Sequence, residues 1–335
     1  MGDPFGSDAI ISHAIDFKAN AIFTMQDIHL LNPQHLQQTR VFIPYLPLDK
    51  DPAPPEVLQR LQYAYKIITF SEFGYRTLLK SGFTSTLILE GTDTEIFKPM
   101  DKIDCRKQLN MPKDPFIFGM VAANKENPPR KGFQEVLEAF AKFAAKHDEA
   151  IIFFHSQQKS PGGFPIQQYG HYLGITKRML FMNDYQAIFQ SDSHAIAKEL
   201  NTLDVYLQPS QTEGFGLTSI EAQAVGKPVI VSNNTSMPET VIKGVTGEVC
   251  ETTYKRWTND LSFVHVADPN SLYDKMEKVY KMVKDNPEKV AKDCRDHIVK
   301  KYNIDTIFEK QWLPLFEELQ DELIPITVDN KEEKK

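Results

Sequence analysis

The chain of 335 residues is long enough for two domains, each with its own core. Its hydrophobic content of 41% and charged content of 25% are ordinary for a globular protein. Its formal net charge of −7 argues against a nucleic-acid-binding protein, because phosphate contacts require a basic surface. No apolar run approaches the roughly 18 residues that a membrane-spanning helix needs, and the three cysteines lack the spacing of a zinc site. We therefore expect a cytoplasmic protein with no transmembrane segment, nucleic-acid partner or metal.

The first hundred residues alternate helix-like and strand-like segments. Helical patterns occur at residues 7–18 and 56–65, and apolar runs typical of strands occur at residues 21–25, 66–70 and 86–90. Ser71 is expected to cap a further helix that ends before Gly82. The stretch from Pro44 to Pro55 contains five prolines, so it is expected to be an extended loop.

The remaining residues continue this alternation. Strands are predicted at residues 116–121, 150–154, 203–207 and 228–232, and helices at residues 132–146, 220–225, 271–284 and 287–301. The segment 304–320, which contains Trp312, has an amphipathic helical pattern. Strands that alternate with helices predict parallel sheets built from βαβ units.

A glycine-containing turn joins the strand at 203–207 to the helix at 220–225, with a glutamate on each side. Glu213 and Glu221 are separated by seven residues that include Gly214 and Gly216. Free N–H groups at the start of a helix form an anion site, and glycines allow a phosphate to approach the backbone. Carboxylates can bind sugar hydroxyls, as they do in dinucleotide folds. The turn therefore indicates a nucleotide-sugar site, although the same residues would also suit a helix cap and a tightly packed turn.

The stretch from Ser210 to Glu239 resembles the E-x7-E signature of retaining glycosyltransferases of family four, the glycosyl transferases group 1. The resemblance includes Gly-Phe-Gly-Leu-Thr at 214–218, Gly-Lys-Pro-Val-Ile at 226–230 and Met-Pro-Glu at 237–239. It implies the GT-B fold, an α/β fold of two Rossmann-like domains in which the second domain binds a nucleotide sugar.

The segment from Gly91 to Pro99 resembles the end of the N-terminal domain in this family. It divides the chain into an N-terminal, acceptor-side domain at 1–98 and a nucleotide-sugar-binding domain at 99–303. The resemblance also implies that a helix at 304–328 crosses back to the N-terminal domain, and the charged tail at 329–335 is expected to be disordered. Since the first domain ends at residue 98 and shows no early strand–glycine–helix unit, we expect it to be truncated or reduced, or to be completed by a partner chain or a second copy.

A basic loop lies between the strand at 116–121 and the helix at 132–146. Lys131 precedes a glycine at the predicted helix start, where a cation could balance the charge that develops on a leaving nucleoside diphosphate. Lys125 occupies the position of an arginine in the family pattern, and Arg130 could compensate for the missing guanidinium. The alternative is a basic loop that only faces solvent.

The resemblance also implies roles for the two glutamates. Glu213 would contact the transferred sugar and Glu221 the ribose hydroxyls, so that Glu213 and Lys131 are the predicted catalytic residues. The residues predicted to bind the donor are Lys125, Arg130, Gly214, Phe215, Gly216, Leu217, Thr218 and Glu221. Further candidates for the cleft are Asp93, His29 and His155, each of which could instead be purely structural.

The predicted function is retaining transfer of a sugar from a nucleoside-diphosphate donor, such as a UDP or GDP sugar, to an unknown sugar, lipid or protein acceptor. No cofactor is expected. Cationic side chains and a helix dipole can cover the diphosphate, and we identify no Asp-x-Asp pair on a plausible loop, so metal independence is predicted. The alternatives are an inactive nucleotide-sugar-binding chain or half of a split glycosyltransferase, followed by a GT-B epimerase or phosphorylase.

Overall fold

The computed structural model describes residues 3–158, 160–189 and 191–323. Within these ranges, the first part of the chain forms a parallel sheet in the order β1-β2-β3-β4. Its strands are β1 (Ile22–Thr24), β2 (Phe42–Leu46), β3 (Ile68–Thr69) and β4 (Thr86–Leu87). Its helices are α1 (Ile10–Asp16), α2 (Pro33–Leu36), α3 (Pro55–Leu61) and α4 (Glu72–Lys80). Ser71 caps α4 as predicted, because its hydroxyl accepts a hydrogen bond from the Gly74 N–H at 3.1 Å.

The strand β2 shows that the predicted extended loop was wrong at its start. Proline cannot donate to a sheet ladder and is normally excluded from central strands. Pro44 is tolerated because it pairs with Thr24, the last residue of β1, while the pairing with β3 begins one residue later at Tyr45. The proline-rich stretch ends at Pro55 in the first turn of α3, where the missing N–H costs no hydrogen bond.

The second part of the chain forms a larger parallel sheet in the order β10-β9-β8-β5-β6-β7. Its strands are β5 (Phe116–Val121), β6 (Ala150–His155), β7 (Met179–Phe181), β8 (Val205–Gln208), β9 (Val229–Ser232) and β10 (Gly247–Cys250). The neighbours of β5 are β6 and β8, so the loops that follow these three strands meet at one edge of the sheet. Strands β5 and β6 are buried along nearly their whole length, as expected for a sheet covered by helices on both faces. The two parallel sheets confirm the predicted α/β class.

The helices of the second part cover this sheet. They are α5 (Lys102–Gln108), α6 (Phe133–Ala144), α7 (Ile166–Tyr172), α8 (Asp184–Phe189), α9 (Ser193–Thr202), α10 (Leu217–Ala224), α11 (Pro269–Asp285) and α12 (Pro287–Lys301). On α6, Phe133, Leu137, Phe140 and Phe143 are fully buried at helical spacing, and Phe143 packs edge-on against Phe118 of β5 at 5.0 Å. None of the helices in the described ranges is both long and apolar enough to cross a bilayer.

An antiparallel hairpin extends from the second domain between β10 and α11. Its strands are β11 (Thr252–Trp257) and β12 (Phe263–Ala267). The predictions above did not include this hairpin, although residues 252–257 and 263–267 flank a Thr-Asn-Asp turn sequence. Trp257 packs edge-on against Phe263 at 4.6 Å, which holds the two strands together near the tip.

The end of the described chain packs on the first sheet. After α13 (Ile304–Ile307), a π-helical turn leads into α14 (Leu313–Leu323). Trp312 lies edge-on against Tyr45 of β2 at 5.0 Å, and Lys66 forms an ion pair with Glu318 at 2.6 Å. The rest of the predicted helix at 304–328 and the predicted tail at 329–335 lie outside the described residues.

Glu239 joins the two domains at the start of α4. Its carboxylate accepts hydrogen bonds from the N–H groups of Glu72 at 2.8 Å and Phe73 at 2.6 Å, and Arg76 lies 3.5 Å away. These N–H groups belong to the first turn of α4, so a side chain of one domain caps a helix of the other.

We expect Glu239→Ala to lower the free energy of unfolding by about 1–2 kcal/mol, because two helix N–H groups lose their acceptor. Urea denaturation followed by circular dichroism would measure this change. Glu251→Ala is the control, since the Glu251 carboxylate accepts a hydrogen bond from the Asn233 side chain at an exposed position and caps no helix among the described residues. Equal effects of the two substitutions would contradict the capping role.

Candidate functional site

The loops that follow β5 and β8 are tied together at the carboxyl edge of the second sheet. The N–H of Gln211 donates to the carbonyl of Arg130 at 2.7 Å, and the Gln211 side chain donates to the carbonyl of Pro129 at 3.2 Å. The Arg130 guanidinium donates in turn to the carbonyl of Thr212 at 2.7 Å. These bonds bring the predicted basic loop to the Glu213 turn, although the two are 82 residues apart.

Glu213 lies between two cations of the basic loop. Its carboxylate forms an ion pair with Lys131 and lies 3.7 Å from Arg130. Burial by itself raises the pKa of Glu213, but Lys131 and Arg130 outweigh burial and hold the pKa below its usual value. The carboxylate is therefore ionised at neutral pH. We refer to Arg130, Lys131 and Glu213 as the charged cluster.

The helix α10 starts beside the charged cluster with its N–H groups uncapped by a side chain. Gly216 occupies the N-cap position with a φ of +97°. A side chain there would also collide with Met237, whose sulfur would lie 2.8 Å from an added Cβ. Among the described residues no acceptor meets the N–H groups of Leu217 and Thr218 in this first turn, so they are free to meet an anion, as the predicted phosphate contact requires.

Phe215 is positioned differently from the other residues of the turn. Its ring is buried and packs edge-on against Phe70 of the first domain at 6.3 Å and against Tyr302, which follows α12, at 5.7 Å. Its side chain therefore belongs to the core between the domains, and only its backbone could contact the donor.

Two cavities adjoin the charged cluster. The β5–β6 cavity has a volume of about 590 Å³, and the interdomain cavity has a volume of about 530 Å³. The polar lining of the β5–β6 cavity includes Lys125, Arg130, Lys131, His155 and Thr218. The interdomain cavity is lined by both domains and includes Gln26, Asp27, His29, Asp49, Lys50, Arg130, Glu213, Gly214 and Asp260. Arg130 reaches both cavities, so the charged cluster separates them.

Glu221 lines neither cavity and lies one turn inside α10. Burial raises its pKa to about 7, and the charge of Glu90 adds to the rise. Burial also raises the pKa of Glu90 to about 7, with a contribution from Glu213. Glu90 follows β4 in the first domain, and we did not predict it as a site residue. Its position at the end of the strand predicted at 86–90, at an edge where ligands of α/β folds bind, was the available signal.

The remaining candidates have distinct environments. Lys125 is exposed at the rim of the β5–β6 cavity, and His29 lines the interdomain cavity. His155 is buried and fixed by Glu199 at 2.6 Å and by the Ser191 hydroxyl at 3.2 Å. Asp93 uses its carboxylate to accept from the N–H groups of Glu95 and Ile96 at 2.8 and 3.0 Å, so it stabilises the turn at the domain boundary and lines neither cavity.

The expectation that no Asp-x-Asp pair lies on a plausible loop is wrong. Asp49-Lys50-Asp51 follows β2, but its two carboxylates diverge. Asp49 lines the interdomain cavity, whereas Asp51 pairs with Lys80 at 2.9 Å. Within the described ranges, no three His, Cys, Asp or Glu residues are grouped as a metal site would require.

Comparison with known proteins is consistent with this geometry. Residues 100–278, slightly more than half of the chain, match the family model of the glycosyl transferases group 1. The GDP-mannose-dependent alpha-(1-6)-phosphatidylinositol monomannoside mannosyltransferase of Mycobacterium tuberculosis (strain CDC 1551 / Oshkosh) is 27% identical over 217 residues. That match covers 60% of this chain and 52% of the relative, so the chain spans about half of the length of this curated relative.

The similarity to solved structures extends over nearly all of the chain. A sucrose-phosphate synthase from Thermosynechococcus elongatus aligns with a TM-score of 0.73 at 21% identity, covering 96% of this chain and 78% of that one. A glycosyltransferase from Rickettsia africae aligns with a TM-score of 0.71 at 17% identity, covering 94% and 82%. At these identities the likeness establishes the fold alone, and it confirms the predicted GT-B architecture.

Proposed function

Because the chain belongs to the glycosyl transferases group 1 family, we propose that it is a retaining glycosyltransferase that uses a nucleoside-diphosphate sugar. The observation that carries the proposal is the charged cluster beside the uncapped start of α10. A diphosphate at this position would meet two cations and the positive end of a helix dipole. The β5–β6 cavity would hold the diphosphate, the ribose would extend beyond it to Glu221, and the acceptor would enter from the interdomain cavity.

In this proposal each member of the cluster has a separate role. When the bond between the sugar and the diphosphate breaks, negative charge develops on the leaving phosphate, and Lys131 stabilises it through a charge-assisted hydrogen bond. Arg130 adds a second positive charge from the same loop. Since Lys131 then interacts with phosphate, the Glu213 carboxylate becomes available to bind a hydroxyl of the transferred sugar. Glu221 binds the ribose hydroxyls from within α10.

The proposal is tested by calorimetric titration with UDP, GDP and ADP, followed by measurement of sugar release and transfer. GDP-mannose is the first donor to test, since the mycobacterial relative is named as dependent on it. We expect one nucleoside diphosphate to bind, the matching sugar to be released or transferred, and the rate to be unchanged by EDTA. Binding without turnover would favour the alternative of an inactive binding chain or half of a split enzyme. The absence of any nucleotide binding would refute the site.

The pH dependence of nucleotide binding tests the role of Glu221. Its pKa of about 7 in the free protein means that it is largely protonated below pH 7. Hydroxyls that donate to a carboxylate favour its ionised form, so binding should lower this pKa and release a proton. We expect the affinity to fall by up to about tenfold per pH unit below pH 7 and to be level above it.

Calorimetric Kd values for wild type and Glu221→Gln between about pH 5.5 and pH 8 would measure this effect. The phosphate of the nucleotide titrates equally with both proteins, so the difference between the two profiles reports the titration of Glu221 together with the Glu90 charge coupled to it. Parallel profiles would show that Glu221 does not bind the ribose through an ionised carboxylate.

A further inference from the structure

The hairpin β11–β12 bridges the two domains over the interdomain cavity. Along its strands, the N–H of His265 donates to the carbonyl of Gln211 at 3.3 Å, and Arg256 donates to the Gln211 side chain at 3.4 Å. At its tip, Asp260 forms an ion pair with Lys50 of the first domain. The hairpin is therefore anchored on the Glu213 turn and reaches the opposite domain, and Asp260 at its tip lines the cavity.

The charge of this cavity is predominantly negative. Among the described residues, five carboxylates and two cations line it. The carboxylates are Asp27, Asp49, Glu56, Glu213 and Asp260, and the cations are Lys50 and Arg130. Carboxylates accept hydrogen bonds, so a ligand that binds here must be able to donate them. Apolar side chains such as Ile28, Leu46 and Val57 complete the lining.

Both cations of the cavity already have carboxylate neighbours. Lys50 pairs with Asp260, and Arg130 lies 3.4 Å from Glu126 and 3.7 Å from Glu213. By contrast, Asp27 and Glu56 make no side-chain hydrogen bond or ion pair with any other described residue. An anionic ligand would thus meet repulsion from the carboxylates without an unpaired lysine or arginine to offset it, whereas hydroxyl groups could donate to them.

We propose that the interdomain cavity binds an uncharged polyhydroxylated acceptor, such as a saccharide or a cyclitol, and discriminates against phosphorylated versions of the same molecule. This inference rests on the proposed function, because it specifies the acceptor of that reaction. Asp49 is the residue that sets the discrimination. It lies half-buried on the loop after β2, opposite the Glu213 turn, where a ligand in the cavity would lie within its reach.

The test compares each neutral compound with its phosphorylated form on the full chain, with the bound nucleoside diphosphate present. The pairs are methyl α-mannoside with mannose 6-phosphate, methyl α-glucoside with glucose 6-phosphate, and myo-inositol with myo-inositol 1-phosphate. Saturation-transfer NMR titrations would give the Kd of each compound. We expect at least one neutral compound to bind with a Kd at least about tenfold lower than that of its phosphorylated partner.

Asp49→Lys should reduce or invert this preference by at least about tenfold, because it replaces a negative charge in the cavity by a positive one. Asp51→Lys is the matched control on the same loop, and it should leave the preference unchanged because Asp51 pairs with Lys80 outside the cavity. Calorimetric binding of the nucleoside diphosphate reports in both variants whether the second domain remains folded.

Two outcomes would overturn the inference. One is tighter or equal binding of the phosphorylated members of all three pairs, and the other is no saturation transfer to any neutral compound. Failure of the proposed function has a different signature, since the chain would then not bind a nucleoside diphosphate in the calorimetric titration. An unchanged preference in Asp49→Lys would show that Asp49 does not set the discrimination.

Discussion

Replacing Lys131 by alanine should lower the rate of sugar transfer by about 10²–10³-fold, or about 2.7–4 kcal/mol of transition-state stabilisation. Lys131 is the cation paired directly with Glu213, whereas Arg130 lies farther away at 3.7 Å. The substitution therefore removes the nearer charge from the position where the diphosphate is expected to leave. It also leaves Glu213 half-buried with only Arg130 nearby, which should repel the incoming phosphates.

The rate is measured with the donor identified by the nucleotide screen, as sugar released or transferred per unit time. Lys142→Ala is the matched control, because Lys142 lies on α6, the helix that follows Lys131, but binds Asn270 at an exposed position. We expect the control to retain the wild-type rate. A Lys131→Ala rate within about threefold of wild type would contradict the role of this lysine in stabilising the leaving group.

In the second domain, the strands β7 and β10 and the helices α5, α7, α8 and α9 were not located from sequence. The strands β5, β6, β8 and β9 were predictable because they are continuous apolar runs. The strand β2 was missed for the opposite reason. Pro44 is a strong local signal against a strand, but it falls at the end of the β1 pairing and before the β3 pairing. A pattern of residues along one chain does not show where the neighbouring strands begin, so such an exception is not visible in sequence.

At the candidate site, the sequence likewise did not show which loops meet in the folded chain. Lys131 and Glu213 were predicted separately, and they meet because β5 and β8 are neighbours in the sheet. Glu90 and Asp49 were missed because their proximity to this cluster depends on how the two domains pack. Phe215 was predicted to bind the donor, yet its aromatic ring serves the domain interface. The types of residue in the sequence therefore indicated the chemistry of the site, but the direction in which each side chain points was known only from the folded structure.

Replacing Gly132 by alanine should also have a large effect, in this case on the stability of the protein. Gly132 has a φ of +79° at the start of α6, directly after Lys131. A Cβ atom there would lie 2.5 Å from the carbonyl oxygen of Pro209, which begins the loop leading to Glu213. Alanine would therefore be strained in its backbone and would also push apart the two loops that carry the charged cluster. We expect Gly132→Ala to lower the free energy of unfolding by about 2–4 kcal/mol.

Gly174→Ala separates the effect of backbone strain from the effect of the close contact with Pro209. Gly174 has a similar φ of +74°, but no atom lies within 4 Å of the position of its missing Cβ. It should therefore cost only the left-handed backbone strain, about 1–2 kcal/mol. Urea denaturation would compare the two variants, and calorimetry would show whether nucleotide affinity falls at least about tenfold in Gly132→Ala alone. If both variants lose the same stability and keep the same nucleotide affinity, then the close approach of Gly132 to Pro209 does not maintain the site. In that case the hydrogen bonds of Gln211 and Arg130 must hold the two loops together instead.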